Sequence, residues 1–218
     1  MSCAICTHRK EKRFCLAIHG RICPQCCGEQ RELTLDCPSE CPYLRQAREH
    51  QKPRQLEDAP PDEVFPKIDL SDQFLRDREP VISGILQTIG ELACSDRSLN
   101  DREVIAALVN LAKSYKTLLD SGLVYEQVPA SLPQQALIEA IRQLLQEFRE
   151  LEREHLGYTT LKDADVLKLL VLTLRLAHLH TSGRPRSRGF LDFLHERFPE
   201  NQSSLVAADE ASSRIIMP

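Results

Sequence analysis

Apolar residues recur at three- and four-residue spacing through positions 70–198, which is the pattern of helices with one buried face. The first such run follows Pro80, a residue suited to a first helical turn because its missing N–H is not needed there. A second run begins after Asn100 and stops near Gly122. Asn100, with Glu103 three residues later, forms an Asn-headed version of the capping box that starts a helix. These signals predict two helices. Their apolar positions are Ile82, Ile85, Leu86, Ile89 and Ala93 in the first, and Val104, Ala107, Leu108, Leu111, Tyr115 and Leu118 in the second.

Three further helices are predicted downstream. Ser131 can cap a long third helix, and Gly157 suits the left-handed position that ends it. The fourth, from about 161 to 180, is apolar nearly all round, which is typical of the central helix of a bundle. A short fifth helix follows a turn that contains three arginines. The pattern therefore predicts a mainly α protein whose body is a bundle of about four to five helices.

Four prolines and few apolar residues lie between positions 51 and 68. Proline interrupts helices, so this segment is predicted to be a linker that contributes little to a core. The chain then divides into a cysteine-rich head over residues 1–50, the linker over 51–68, a helical bundle over 69–198 and a flexible tail over 199–218.

Eight of the nine cysteines fall between positions 3 and 41. We find no apolar stretch of the kind that signal peptides and membrane spans need, so we expect a cytoplasmic protein. Cytoplasmic thiols stay reduced, and dense cysteines there favour metal binding over disulfides. The expected ligands are Cys3, Cys6, Cys15, Cys23, Cys26, Cys27, Cys37 and Cys41.

Eight thiolates fill two tetrahedral sites, which favours two Zn²⁺ ions; an iron–sulfur cluster is the alternative, although the ferredoxin cysteine run is absent. Adjacent Cys26 and Cys27 point in different directions and so favour an interleaved arrangement. We define the first cysteine set as Cys3, Cys6, Cys23 and Cys26, and the second cysteine set as Cys15, Cys27, Cys37 and Cys41.

His8 and His19 are the reserve ligands. If His19 replaced Cys27, one thiol would be left free and reactive. Proline in the two Cys-Pro-x-x-Cys segments is expected to form ligand turns, and Gly28 is expected to adopt a positive φ.

The head has few large apolar side chains, and segments of this size rarely fold on such a core. Structural zinc supplies about 10–16 kcal/mol in small zinc domains at neutral pH. We therefore expect the metal to replace most of the core of the head.

Residues 23–31 read CPQCCGEQR and residues 37–44 read CPSECPYL. This pattern resembles the CPxCCG then CPxxCxYL motif of a group of small uncharacterised bacterial proteins. The resemblance covers about residues 15–45 and implies metal binding without a named activity. In a general way the head is also similar to zinc-ribbon and treble-clef fingers.

Charge is unevenly placed, with a balance of +4 over residues 1–54 and −8 over residues 55–218. A basic head suggests an anionic partner. However, each Zn(Cys)₄ site adds −2, and only Phe14 and Tyr43 could stack on bases, so a protein partner is favoured over nucleic acid. The candidate phosphate contacts are Arg9, Lys10, Lys12, Arg13, Arg21 and Arg31.

The chain lacks the phosphate-binding loop, nucleophile-elbow and dinucleotide motifs, so nothing supports an enzyme directly. Glu152 and His155 are interpreted as part of a solvated helix face. The leading hypothesis is a non-catalytic adaptor whose head recognises a macromolecule and whose bundle binds a partner or self-associates. Alternatives are a thiol-based redox or metal sensor, a nucleic-acid-binding regulator, and an enzyme with a catalytic zinc bound by His19.

Overall fold

The computed structural model describes residues 2–125 and 127–199. The head contains a two-stranded antiparallel hairpin and two short helices, followed by short helical turns in the segment that leads to the bundle. The elements are β1 (Arg13–Cys15), β2 (Gly20–Ile22), α1 (Pro24–Gln30), α2 (Pro42–Glu49), a 3₁₀ turn (Leu56–Asp58), α3 (Pro61–Val64) and α4 (Asp72–Asp77).

Five longer helices form the bundle, and α8 lies at its centre. These are α5 (Glu79–Ser95), α6 (Asp101–Ser121), α7 (Leu132–Leu156), α8 (Asp163–His180) and α9 (Gly189–Arg197). Helix α8 packs chiefly on α6 and α9, while α5 packs on α7 and α9. The side chains of α8 are buried on nearly every side, as its apolar sequence predicts. Within the described residues, no helix is long and apolar enough to cross a bilayer.

The sequence signals at the helix ends are confirmed. Asn100 accepts hydrogen bonds from the N–H groups of Arg102 and Glu103, and Ser131 accepts one from Gln134. Gly122 and Gly157 close α6 and α7 with φ values of +71° and +79°. Such positive φ angles favour glycine because it has no Cβ.

The expected capping box at Glu103 is wrong. Its carboxylate accepts hydrogen bonds from the Ser131 hydroxyl and, at 2.9 Å, from the Gln134 side chain, so it does not reach back to Asn100. Glu103 therefore joins the starts of α6 and α7, a tertiary contact that outcompetes the local one.

Glu152 also differs from the expectation of a solvated face. Its carboxylate accepts hydrogen bonds from the hydroxyls of Thr159 and Thr160 and from the backbone N–H groups of Thr160 and Leu161. Because α7 ends at Gly157, the chain folds back and brings these donors to Glu152, which holds the turn into α8.

The segment 51–68 packs more closely than its prolines predict. Val64 and Phe65 are buried, and Phe65 belongs to the bundle core. The guanidinium of Arg175 on α8 donates to the carbonyls of Val64, Phe65 and Ile68 at 2.7–3.0 Å.

The proposed domain boundaries stay predictions. The predicted tail lies, from residue 200 onward, outside the described residues.

The head rests on the turn between α8 and α9. The Arg184 guanidinium donates to the carbonyls of Gly28 and Arg31, and the Arg186 N–H donates to the Glu32 carbonyl at 2.9 Å. On the adjacent side, Arg48 bonds Glu32 at 2.9 Å and Asp192 of α9 at 2.5 Å. These contacts fix the cysteine-rich head against the bundle.

Candidate metal centre

The sulfur atoms of the first cysteine set all lie within 4.8 Å of one another. A tetrahedral zinc with bonds of ~2.3 Å has sulfur–sulfur edges of about 3.8 Å, so a small adjustment would let four sulfurs hold one ion. Three of these cysteines are buried and Cys6 is half-buried. Among the described residues, no other group of three or more Cys, His, Asp or Glu side chains comes this close. The four cysteines could therefore hold a metal ion.

A tight turn places the first two sulfurs. The N–H of Thr7 donates to the carbonyl of Cys3 at 2.9 Å, and the N–H of His8 donates to that of Cys6 at 2.7 Å. Thr7 closes the turn with a φ of +57°. The turn therefore directs the side chains of Cys3 and Cys6, which are three residues apart, towards the same position.

The other two sulfurs come from the start of α1. Cys23 is its N-cap and accepts a hydrogen bond from the N–H of Cys26 at 3.4 Å, while Pro24 occupies the first turn. The hairpin before α1 pairs Arg13 with Ile22 and Cys15 with Gly20. Since the N–H of Ala4 also bonds the carbonyl of Arg21, at 3.0 Å, the hairpin holds the N-terminal turn beside α1.

The electrostatics of this cluster favour thiolates at some positions and oppose them at others. Burial opposes ionisation of Cys3, but backbone N–H groups, including that of Cys23 at 3.2 Å, lower its pKa to about 6. Burial and the neighbouring sulfurs raise the pKa of Cys26 to about 12. Arg9 lies 4.0 Å from the sulfurs of Cys23 and Cys26 and offsets part of their charge. A cation bound between the sulfurs would relieve the remaining repulsion.

The second cysteine set is less closely assembled. Cys15 ends β1, Cys27 lies on α1, Cys37 lies in the loop before α2 and Cys41 is the N-cap of α2. Burial raises the pKa of Cys37, and nearby Cys41 and Cys15 raise it further, while the Glu32 backbone amide lowers it. Three of these sulfurs therefore share one neighbourhood.

Cys27 has different neighbours. The guanidinium of Arg13 lies 3.6 Å from its sulfur and that of Arg31 lies 4.0 Å away. Cys27 lies outside the converging group of the first cysteine set. Its side chain leaves α1 in a different direction from that of Cys26, because successive residues on a helix project about 100° apart.

The two Cys-Pro-x-x-Cys segments differ in structure. Cys23-Pro24 starts α1, but Cys37-Pro38 lies in a loop, and the counterpart of Cys23 is Cys41, which caps α2 ahead of Pro42. The expectation for Gly28 is wrong, because it lies inside α1 and a positive φ occurs instead at Thr7, His19 and Glu32.

The predicted phosphate contacts fall into two groups. The guanidiniums of Arg9, Arg13 and Arg31 face cysteine sulfurs. Lys10, Lys12 and Arg21 are exposed at the surface of the head. His8 and His19 are also exposed and lie outside the group of converging sulfurs.

Glu32 is the site residue that sequence reasoning missed. Its side chain bonds Arg48, its backbone amide favours the Cys37 thiolate and its carbonyl accepts the N–H of Arg186. It is 2% exposed and has a φ of +51°, so it is held in a strained conformation. Nothing in the local sequence signals this role, because the partners come from α2 and from the turn before α9.

Comparison with protein-family models, with curated proteins and with solved structures gives no match for this chain.

Proposed function

We propose that this chain is a zinc-binding, non-catalytic adaptor whose head recognises a macromolecular partner. The observation that carries the proposal is the convergence of four cysteine sulfurs within 4.8 Å. A four-sulfur site suits Zn²⁺ and leaves no open position for a water or substrate. Such a site shapes a surface without performing chemistry.

A second zinc, held by the second cysteine set, completes the proposal. Three observations support it. Cys15, Cys27 and Cys41 are buried. The charges of Cys15 and Cys41 raise the pKa of Cys37, and Cys27 lies outside the converging group of the first cysteine set. Binding of an ion would draw Cys27 towards the other three sulfurs. The interleaved arrangement places both ions within one small head.

The order of elements supports a treble-clef-like head. A cysteine turn is followed by a hairpin, and two more cysteines lie in the first turn of a helix. The motif shared with the small bacterial cysteine proteins supports metal binding in the same region.

Metal content tests the proposal directly. Elemental analysis of the purified protein should give two zinc ions per chain, and X-ray absorption should give four sulfur ligands for each. Cys3→Ser and Cys41→Ser should each lose about one ion, whereas the matched control Cys94→Ser, outside both sets, should keep both. One zinc per chain would contradict the second site; iron, or mixed nitrogen and sulfur ligands, would contradict the structural zinc.

A protein partner fits the surface better than nucleic acid. Three of the basic residues proposed for phosphate contact, Arg9, Arg13 and Arg31, face sulfurs. The exposed residues that face no sulfur are Lys10, Lys12 and Arg21. Binding to single- and double-stranded oligonucleotides at about 50 mM salt tests this. Affinity that falls with salt and weakens in the Lys10→Gln, Lys12→Gln, Arg21→Gln triple variant would favour nucleic acid instead.

The sensor alternative has one supporting observation. Glu32 contacts the second cysteine set, Arg48 and the turn before α9. Oxidation of the sulfurs or loss of metal there could therefore change the contacts of Glu32 with the bundle. Mild peroxide should then release zinc, and reductant with added zinc should reverse the release. A head that keeps its metal under peroxide would make this alternative untenable.

A further inference from the structure

A cavity of about 770 Å³ lies in the bundle, away from the cysteines. Its walls come from the first half of α6, the start of α7, the end of α8 and the turn after it, and the segment that includes Arg54 and Glu63. Small-molecule sites have volumes of roughly 300–1,000 Å³, so this cavity is large enough for a metabolite-sized ligand. We call it the α6–α8 cavity.

The inner wall contains a buried polar atom without a hydrogen bond. His178 is 4% exposed and lines the cavity, and its Nε2 forms no hydrogen bond with the residues that the structure describes. Glu63 Oε2 lies 3.2 Å from this nitrogen, an ion-pair distance if the imidazole is protonated, but the two atoms do not form a hydrogen bond. Leaving a buried polar atom unpaired is unfavourable, and a ligand in the cavity could supply the partner.

Arg54 brings an uncompensated positive charge to the same wall. It is half-buried, and within the described part of the chain its guanidinium makes no hydrogen bond or ion pair. It lies against Gly183, where an added Cβ would come within 2.5 Å of Arg54 Nη1 and would displace the guanidinium. Its charge reaches His178: burial, and then the charge of Arg54, lower the pKa of that imidazole.

The other charged groups around the cavity leave this positive charge available. Arg102 is exposed at the rim and its side chain makes no bond to the described residues. The carboxylate of Glu103 is already bonded to Ser131 and Gln134, and Arg184 is bonded to carbonyls of the head. Glu63 is the remaining carboxylate, and it lies beside His178.

The uncharged part of the lining is mixed. Asn110, Gln127, Ser131, Gln134 and Thr181 are polar, and the remainder is apolar. Ile105, Ala106 and Val109 of α6 line the cavity, and the exposed Val128 lies at its edge. A guanidinium matches the geometry of carboxylate and phosphate oxygens, and an apolar wall accepts a hydrocarbon or aromatic group.

We infer that the α6–α8 cavity binds a small organic anion, with its carboxylate or phosphate on Arg54, a polar edge at His178 and its apolar part on α6. This site is independent of the metal centre and adds a ligand to the bundle, which the proposed adaptor function leaves without one.

Titration of the zinc-loaded full chain with four simple anions tests the inference. Phenyl phosphate and benzoate carry both an oxyanion and an apolar ring, whereas inorganic phosphate and acetate lack the ring. We expect saturable shifts of the His178 ring signals in NMR spectra with an aromatic anion, and weaker binding of the matching ring-free anion. Preference for phenyl phosphate would assign a phosphate ligand, and preference for benzoate a carboxylate.

Matched variants locate the anion. Arg54→Gln should weaken binding about tenfold or more, since a charge-assisted hydrogen bond is lost. Arg102→Gln, at the exposed rim, should weaken it less without disturbing the fold. Arg76→Gln, the same change at an exposed position on α4, should leave the affinity unchanged.

Circular dichroism shows whether each variant folds. If Arg54→Gln does not fold, the anion affinity of Arg102→Gln shows whether the anion binds in this cavity. No saturable response to any of the four anions would overturn the inference. So would unchanged affinity in the folded arginine variants of the cavity.

Discussion

Asp101 is fully buried at the start of α6, where its carboxylate accepts hydrogen bonds from residues at the start of α9, about 90 positions later in the sequence. The donors are the hydroxyl of Ser187 at 2.7 Å and the backbone N–H groups of Phe190 and Leu191 at 3.2 and 3.3 Å. The two N–H groups lie in the first turn of α9, where backbone N–H groups have no partner within the helix. One side chain therefore fixes the start of α9.

We expect Asp101→Ala to lower the free energy of unfolding by about 2–3 kcal/mol, because three buried donors lose their acceptor. Urea unfolding monitored by circular dichroism measures the change. Asp120→Ala on the same helix is the control, since Asp120 forms a surface ion pair with Lys116 and its loss should cost little. Equal effects of the two substitutions would contradict the role of Asp101.

Glu152 predicts a dependence of stability on acid pH. Burial opposes its ionisation, but hydrogen bonds from Thr159, Thr160 and Leu161 outweigh burial and lower its pKa from 4.5 to about 2. A carboxyl whose pKa is lower in the folded state stabilises the protein above its unfolded pKa, and this contribution is lost as the pH falls through the folded pKa.

The stability contributed by Glu152 should therefore decline between about pH 4.5 and pH 2. Unfolding free energies measured across this range should fall less steeply in Glu152→Gln than in the wild type. Glu139→Gln, an exposed change on the same helix, should keep the wild-type slope. If Glu152→Gln keeps that slope as well, the carboxylate is not the group that titrates.

At the scale of elements, α2 is joined to α9 by a single arginine. Arg48 of α2 bonds Asp192 of α9 and also Glu32, whose side chain is only 3% exposed. Ser39 donates a further hydrogen bond to Asp192. Removal of the guanidinium would leave the carboxylates of Glu32 and Asp192 without this counter-charge.

We expect Arg48→Ala to cost about 3 kcal/mol, the usual loss when one partner of a buried ion pair is removed. Hydrogen exchange should become faster in α9 and in residues 31–41, which face the lost contact. Arg21→Ala is the control because Arg21 is exposed and lies 3.9 Å from Glu11. Unchanged exchange in α9 would show that the head does not support this helix.

Element prediction succeeded where the signals are local. Caps at Asn100 and Ser131 and the closing glycines at 122 and 157 set the ends of α6 and α7 to the residue, because those signals act within one turn. Strands β1 and β2 gave no signal, since three residues are too few for an alternating pattern to be recognised.

At the scale of the whole molecule, the head and the bundle have separate cores. The buried cluster of the head consists mainly of cysteines with Ile22 and Leu35, whereas the core of the bundle, within the part of the chain that the structure describes, contains no cysteine. The two parts meet mainly through hydrogen bonds and ion pairs on Glu32, Arg48 and Arg184. Their stabilities should therefore respond differently to loss of metal.

Removal of metal by a strong chelator should unfold the head and leave the bundle folded. The bundle core does not depend on the sulfurs, whereas the small apolar cluster of the head cannot offset their repulsion alone. NMR spectra should lose dispersion for signals of residues 2–50 and keep it for α5 to α8, with restoration by added zinc. Loss of the bundle signals at the same chelator concentration would contradict separate cores.

The sequence by itself determined the helical bundle, the positions of its helices and the density of cysteines that indicates a metal site. These features depend on neighbours within a few residues, namely helical periodicity, caps and thiol spacing. Cysteine spacing also suggested which four sulfurs belong together, and the folded hairpin brings those of Cys3 and Cys23 close. Tertiary structure alone decided that the first cysteine set converges closely while the second does not. It also decided the roles of Glu32, Glu103 and Glu152, whose partners lie on other elements and are selected by packing.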